Sequence, residues 1–251
     1  MIRVSASAFD ILWTDLGYST RPGPLAVRSV GETEQERTDI RAAVYDNLAE
    51  RGLFADGRLD PVLEDRLAAL ATAEVYVECE ALVDIADGEP LRAVAAAGGA
   101  RAVLAVQPRQ TIGLSEIRDT ELVPAAVGVL PELEPGPGYG ISLPAARLGG
   151  GMTDPVFDEG GEGEKSTPYQ QQAREVLAIQ ARPVFGAGQF SVRARERGGK
   201  VRRLGGVSWF VTDVGAYLGT VAPGRGGQDW MSVAPADSAR LVGKLSDILE
   251  R

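Results

Sequence analysis

The sequence predicts an α+β fold in which two halves, each an antiparallel sheet with helices, are arranged with quasi-two-fold symmetry. Three observations carry that expectation. Apolar residues recur at helical spacing between Phe9 and Leu70, the period drops to two from Val75 to Ile117, and a similar order of elements returns after residue 167.

The elements follow in order. Ser7 with Asp10 reads as a capping box, and Phe9, Leu12, Trp13 and Leu16 form a helical stripe that Gly17 ends. A short extended piece is expected around Leu25 to Val27. Thr33 and Glu36 make a second capping box ahead of Ile40, Ala43, Val44 and Leu48, with Gly52 suited to the left-handed residue past the helix. Asp60 before Pro61 supplies an N-cap and first helical residue for a third helix carrying Leu63, Leu67 and Leu70. From Val75 the residues alternate: Val75, Val77, Cys79, Ala81 and Val83 share one face, while Tyr76, Glu78 and Glu80 mark the wet one. Strands over Leu91 to Ala97 and Arg101 to Gln107 flank Gly98-Gly99 as a hairpin, Thr111 to Ile117 adds a strand, and a helix over about 120–130 closes the block.

Composition then shifts to Pro and Gly at Glu134-Pro135-Gly136-Pro137-Gly138, a linker signature. A brief extended stretch at Tyr139 to Leu143 precedes Gly149 to Ser166, read as a mobile acidic loop. Thr167, Pro168 and Gln170 start a helix that stops at Pro183. Strands are expected near Phe185 to Arg197, Lys200 to Asp213, Ala216 to Val221 and Trp230 to Ala234. Asp237 caps a last helix striped by Leu241, Leu245, Ile248 and Leu249. The whole, 1–251, reads as one domain with halves at about 1–133 and 167–251, joined by the linker and acidic loop 134–166.

Composition narrows the chemistry. The chain has no histidine, which removes Ser-His and Cys-His nucleophiles, His-ligated zinc and the usual proton shuttle near neutral pH. A net charge of −9 disfavours a general nucleic-acid binder. Cys79 is the one cysteine, so no internal disulfide forms, and it reads as a small buried apolar side chain rather than a reactive thiol. No apolar run approaches the ~20 residues that span a bilayer, and Met1 to Val4 are not followed by a secretory apolar stretch. Cytoplasmic residence without membrane insertion is expected.

Several constellations invite chemistry. Around Gly198-Gly199 a two-residue loop would set Arg197 against Lys200 and Arg195 against Arg202, a repulsive arrangement. Either Asp154 to Glu164 or an acidic partner compensates it, or the charges are screened at a solvated tip. The acidic loop lacks the ligand spacing of a calcium-binding EF-hand, and Glu78 with Glu80 fits a wet strand face better than a glycosidase pair. Trp13, Trp209 and Trp230 sit in apolar periodicities and read as core.

The C-terminal third carries a specific likeness. The basic hairpin Val192 to Arg203 leads into Val207-Ser208-Trp209-Phe210-Val211-Thr212-Asp213, then Gly215-Ala216-Tyr217-Leu218 and Trp230-Met231-Ser232-Val233-Ala234-Pro235-Ala236-Asp237. With Gly57-Arg58-Leu59-Asp60-Pro61 and the Val75 strand in the same order, the chain resembles the EspG family of type VII (ESX) secretion-associated proteins over almost its whole length. That resemblance implies a non-enzymatic cytosolic chaperone, without cofactor or metal, that binds PE/PPE-type or related helical secretion substrates and keeps an apolar tip soluble. It places binding on the loop Ile85 to Pro90, with Ile85, Asp87 and Glu89, and on the open sheet face, with Tyr76, Glu78, Ser208, Phe210 and Thr212 as candidates. Arg195 and Arg202 join these from the hairpin reading. Two other functions fit the residues: a small-molecule-binding or carboxylate- and Tyr-based enzymatic α+β domain, and a scaffold that forms homodimers through its sheet.

Overall fold

The computed structural model describes residues 1–144, 168–224 and 228–250. Its helices are α1 (Ala6–Asp15), α2 (Glu34–Glu50), α3 (Pro61–Thr72), α4 (Leu122–Val127), α5 (Pro168–Gln180) and α6 (Ser238–Leu249). The strands are β1 (Ile2–Ser5), β2 (Phe54–Ala55), β3 (Arg58–Leu59), β4 (Val75–Leu82), β5 (Leu91–Gly98), β6 (Arg101–Gln107), β7 (Thr111–Ile117), β8 (Ile141–Pro144), β9 (Val184–Arg195), β10 (Val201–Thr212), β11 (Gly215–Pro223) and β12 (Asp229–Pro235). Apart from the small β2–β3 pair, they join in one sheet with the order β1-β7-β6-β5-β4-β9-β10-β11-β12-β8. Neighbours run antiparallel throughout.

Local signals fix most helix starts. Thr33 accepts from the Glu36 N–H while Glu36 reaches back to the Thr33 N–H, completing the expected capping box. Asp60 accepts from Val62 and Leu63 ahead of Pro61, and Asp237 from Arg240 at 2.8 Å. At α1 the expectation needs correction. Ser5, not Ser7, is the N-cap, accepting from Ala8, and Asp10 lies fully buried inside the helix instead of completing a capping box. The edge strand β1 was not foreseen; its four residues offer one buried side chain, Val4. The helix expected over about 120–130 is a 3₁₀ turn, Asp119–Glu121, followed by the shorter α4.

Strand alternation gives the sheet a front and a back, and both are covered over much of their area. At the N-terminal end of the front, α1, α2 and α3 pack Phe9, Leu12, Trp13, Leu48, Leu63 and Leu67 onto Tyr76, Val94, Val103, Ile112 and Leu114. At the other end Val176 of α5 covers Ile141, Leu143, Tyr217 and Val233. Across the middle of the back, α4 and α6 bury Val77, Cys79, Ala95, Phe190, Val207, Trp209 and Leu218. Leu241 and Leu245 of α6 are fully buried, each stabilising by about 2 kcal/mol. The central seam is the β4–β9 pair, where Val77 faces Val192, Cys79 faces Phe190 and Ala81 faces Gly188.

The repeated plan is visible in three dimensions. An edge strand, front-face helices, four strands and a back-face helix occur as β1, α1–α3, β4–β7, α4 and again as β8, α5, β9–β12, α6. This is the expected quasi-two-fold α+β architecture on antiparallel sheet. The acidic loop Asp154 to Glu164 and the expected N-cap Thr167 lie outside the described residues.

Two hairpins turn differently from expectation. Gly98 pairs with Arg101, so the β5–β6 turn is Gly99-Ala100, with Gly99 at φ +59. Between β9 and β10, the Glu196 N–H donates to Lys200 and the Gly199 N–H donates back to Glu196, both at 2.8 Å, so the loop is the three residues 197–199 with Gly199 at φ +81. Arg195 therefore faces Val201 and Arg202 faces Ala194; the like-charged pair across the strands is Arg193 with Arg203. The one-residue change in loop length exchanges the faces of the side chains near the tip; a β-bulge between Arg203 and Gly205 restores the register that a two-residue loop would give, so that Val207 faces Phe190.

Candidate interface on the open sheet face

Between the two front-face helical layers, the middle of the sheet forms a strip of four transverse rows. The first is Leu82, Ala187 and Phe210, bounded by the buried Tyr217; the second is Glu80, Gln189, Ser208 and Gly219. The third is Glu78, Ser191 and Gly206; the fourth is Arg193 and Arg203, bounded by the buried Tyr76. Gln189, Arg203 and Ser208 are exposed, and the Glu80 side chain is 42% exposed. Rows stand two residues apart, roughly 7 Å, so the strip grades from apolar to cationic along about 20 Å of strand.

Beyond the first row the apolar end continues into solvent. Phe185 is 53% exposed and Ile85 41%, and the Ile85 N–H donates to the Phe185 carbonyl at 2.8 Å. Val83 and Val184 are exposed beside them. Exposed apolar side chains gathered on one rim mark a surface that gains by being covered. Asp87 pairs loosely with Arg109 at 3.9 Å, and Glu89 is exposed on the same loop.

At the cationic end each charge has a traceable partner. Arg193 Nε donates to Glu78 Oε2 at 2.8 Å. Burial of the Glu78 carboxyl pushes its pKa up, against the opposing pull of Arg193 and, more weakly, Arg203. Arg92 Nε donates to Glu80 at 3.2 Å. Arg203 Nε donates to the Ser191 hydroxyl at 3.1 Å, and its guanidinium lies over Gly206, where a Cβ would collide with it. One wall of the strip is the segment around Gly23, whose position a Cβ would bring to 3.2 Å from Glu78 Oε1.

The candidate residues fall into distinct environments. Glu78, Ser208 and Phe210 lie on the strip, and Ile85, Asp87 and Glu89 on the adjoining loop. Phe210 is half-buried and stacks on Tyr217 with ring centroids 5.7 Å apart. Tyr76, expected on a wet face, is buried beneath the end of α3. Thr212 is buried in the β10–β11 turn, its hydroxyl donating to Gly215 O at 2.9 Å and accepting from Val214 N. Arg195 is spent internally, donating to Ala71 O, Ala73 O and the Tyr76 hydroxyl. Arg202 pairs with Glu196 at 2.9 Å, and its place opposite Ala194 sets it on the back of the sheet. Phe185, Gln189, Arg193 and Arg203 went unnoticed in the sequence. Only the hairpin register reveals which arginines share the strip.

Elsewhere, a surface depression of about 440 Å³ lies on the back between the Gly138-Tyr139-Gly140 strap and α6, with Leu218 and Ala234 among its walls. Among the described residues no group of three or more His, Cys, Asp or Glu is placed to hold a metal ion. No described helix is long and apolar enough to cross a membrane. Trp13 and Trp209 are buried, as expected, and Trp230 is half-buried.

Comparison with known proteins places this architecture. The EspG family model matches residues 5–247. Among solved structures, the Mycobacterium tuberculosis type VII secretion system chaperone EspG5, determined in complex with a PE25-PPE41 dimer, aligns with a TM-score of 0.72 at 14% sequence identity, over 99% of this chain and 95% of that chain. No curated protein matches.

Proposed function

Because the chain belongs to the EspG family, we propose that it is a type VII secretion chaperone that seats a PE/PPE-type helical heterodimer on the open strip of its central sheet. The observation that carries this reading is the strip itself, which two helical layers leave uncovered and which ends in the exposed Ile85 and Phe185. A solved structure of the same fold is a chaperone in complex with such a dimer.

The proposed mechanism is binding alone, with no covalent step. Ile85, Phe185 and the half-buried Phe210 cover an apolar tip of the client. Polar residues such as Gln189 and Ser208 supply hydrogen bonds around it. Binding the folded client withholds that tip from self-association and stabilises it by mass action. A stable complex of this kind buries on the order of 1,200–2,000 Å² in total, with a few aromatic contacts dominating. The chaperone acts in the cytoplasm, before export.

Titration with a PE/PPE-type heterodimer, followed by calorimetry and co-elution, tests the reading. The wild type forms a stable complex, and Ile85→Ser with Phe185→Ser weakens it at least tenfold, as expected for hot-spot side chains. Binding of the double variant with unchanged affinity would remove the docking face.

A further inference from the structure

The arginines around the strip are not equivalent. Arg92 has Glu80, Arg193 has Glu78 and Arg195 has the carbonyls at the end of α3. Arg195 is also without a carboxylate but is saturated by those carbonyls and the Tyr76 hydroxyl, whereas Arg203 donates to one neutral group, the Ser191 hydroxyl, and among the described residues has no carboxylate within ion-pair distance. Its guanidinium is nevertheless held in place. The missing Cβ of Gly206 lets it lie inward, over the third row, instead of extending past the hairpin. The result is an exposed cation aimed at the strip, whose nearby carboxylate, Glu78, is already hydrogen-bonded to Arg193 and makes no ion-pair contact with Arg203.

We propose that Arg203 orients the bound partner by taking one of its carboxylates, so that the partner's apolar tip begins on Phe210 and runs on to Ile85 and Phe185, with an acidic side chain over Gly206. This rests on the docking reading above and adds the direction in which the partner lies and the charge it must carry. Gly206 and Phe210 are four residues apart along β10, roughly 13 Å. A partner helix lying along the strip covers that length in about nine residues. The fitting partner is thus a helical tip with large apolar side chains and an Asp or Glu some nine residues down the same helix. A guanidinium fork is suited to such a carboxylate, and a partly covered sheet face screens the pair less than open water.

The test uses one helical-hairpin probe with a Leu- and Phe-rich tip, made in three versions with Glu, Gln or Lys at the position nine residues from the tip. Binding to the full chain is followed by fluorescence anisotropy. The wild type binds the Glu version roughly three- to tenfold more tightly than the Gln version, with Lys weakest, and added salt narrows the spread. Arg203→Glu reverses the order in favour of Lys. Arg202→Glu, on the back of the sheet, leaves the order unchanged. Both variants melt with the wild type, since both side chains are exposed.

If Phe185→Ser abolishes binding but Arg203→Glu keeps the wild-type order, the role of Arg203 is overturned and the docking face stands. If no version binds, or Phe185→Ser has no effect on any of them, the docking face fails and the role of Arg203 fails with it.

Discussion

The guanidinium of Arg195 closes the carboxyl end of α3, with Nε 2.9 Å from the carbonyl oxygen of Ala73. Its Nη2 donates to Ala71 O at 2.9 Å and to the Tyr76 hydroxyl, whose ring lies 5.8 Å below the guanidinium carbon. The last carbonyls of a helix have no partner within it, and a cation there also meets the negative end of the helix dipole. One side chain from β9 thereby ties the second half of the molecule to a helix of the first.

Arg195→Ala should therefore lower stability by about 2 kcal/mol, the scale of lost charge-assisted bonds to partly buried carbonyls. Arg195→Lys recovers less than half, because one ammonium cannot span Ala71 and Ala73 as a fork does. Urea denaturation measures both. Partner affinity, measured well below the unfolding midpoint, stays at the wild-type value, since this arginine is engaged inside the fold.

Asp10 ties down the loop between α1 and α2. Its buried carboxylate accepts from Arg21, from Arg37 at 2.9 Å and from the Val30 N–H at 3.0 Å. Asp10→Asn leaves two arginines facing a neutral amide, and removing one member of a buried ion pair costs about 3 kcal/mol. Thermal and urea unfolding should both show the loss. Exchange of the amide protons of residues 21–30 should quicken first, because Asp10 holds that segment at both ends.

Much of this architecture is legible in the residues, for definite reasons. Thr33 with Glu36, Asp60 with Pro61, and Asp237 are local devices whose meaning does not depend on tertiary context. The period-two runs from Val75 to Ile117 likewise declare strands. What fails is whatever depends on partners distant in sequence. Asp10 resembles the end of a capping box until Arg21 and Arg37 are seen around it. Tyr76 alternates with apolar residues and reads as wet, yet α3 covers that face as α4 and α6 cover the other. Gly198-Gly199 permits loops of two or three residues, and the choice decides whether Arg202 or Arg203 shares the strip with Arg193. The apolar end of the interface was half-legible: Ile85 lies on the expected loop, while Phe185 gains its meaning from the Ile85 N–H that donates to its carbonyl.

Glu78 and Asp10 should give stability opposite dependences on pH. Burial raises the folded pKa of Glu78 above its ordinary value near 4.5, so the folded chain holds that proton more tightly than the unfolded one. Stability from this group is present below 4.5 and falls as pH rises through the raised value. Burial also pushes the Asp10 carboxyl upward, but the Val30 N–H, Arg37 and Arg21 outweigh it and hold the folded pKa below the ordinary 3.8. Stability from Asp10 is thus present above 3.8 and lost as pH falls through the lowered value. Denaturation curves between pH 3 and pH 6 separate the two. Glu78→Gln removes the decline above pH 4.5, and Asp10→Asn flattens the acid limb. At neutral pH Glu78→Gln costs under about 1 kcal/mol, because the burial of that charge offsets most of its pairing with Arg193.

The seam between the halves is sensitive to a single carbon atom. A Cβ at Gly188 would stand 2.8 Å from the Ala81 Cβ and 2.8 Å from the Glu80 carbonyl oxygen, inside the β4–β9 pair. Gly188→Ala forces the strands apart or twists them locally, at about 2 kcal/mol, the usual scale of overpacking. Gly198→Ala, with open space around the added atom, stays near neutral. Ala81→Gly removes one of three close contacts but leaves the Ala81 Cα, 2.9 Å from the added atom, and the Glu80 carbonyl in place. The double variant Ala81→Gly, Gly188→Ala therefore recovers part of the loss, and a double-mutant cycle in urea should give a coupling of about 1 kcal/mol. Because Glu80 and Gln189 meet across the same seam one residue away, Gly188→Ala should also weaken partner binding beyond what its stability loss explains. Affinity measured where both proteins are fully folded decides that point.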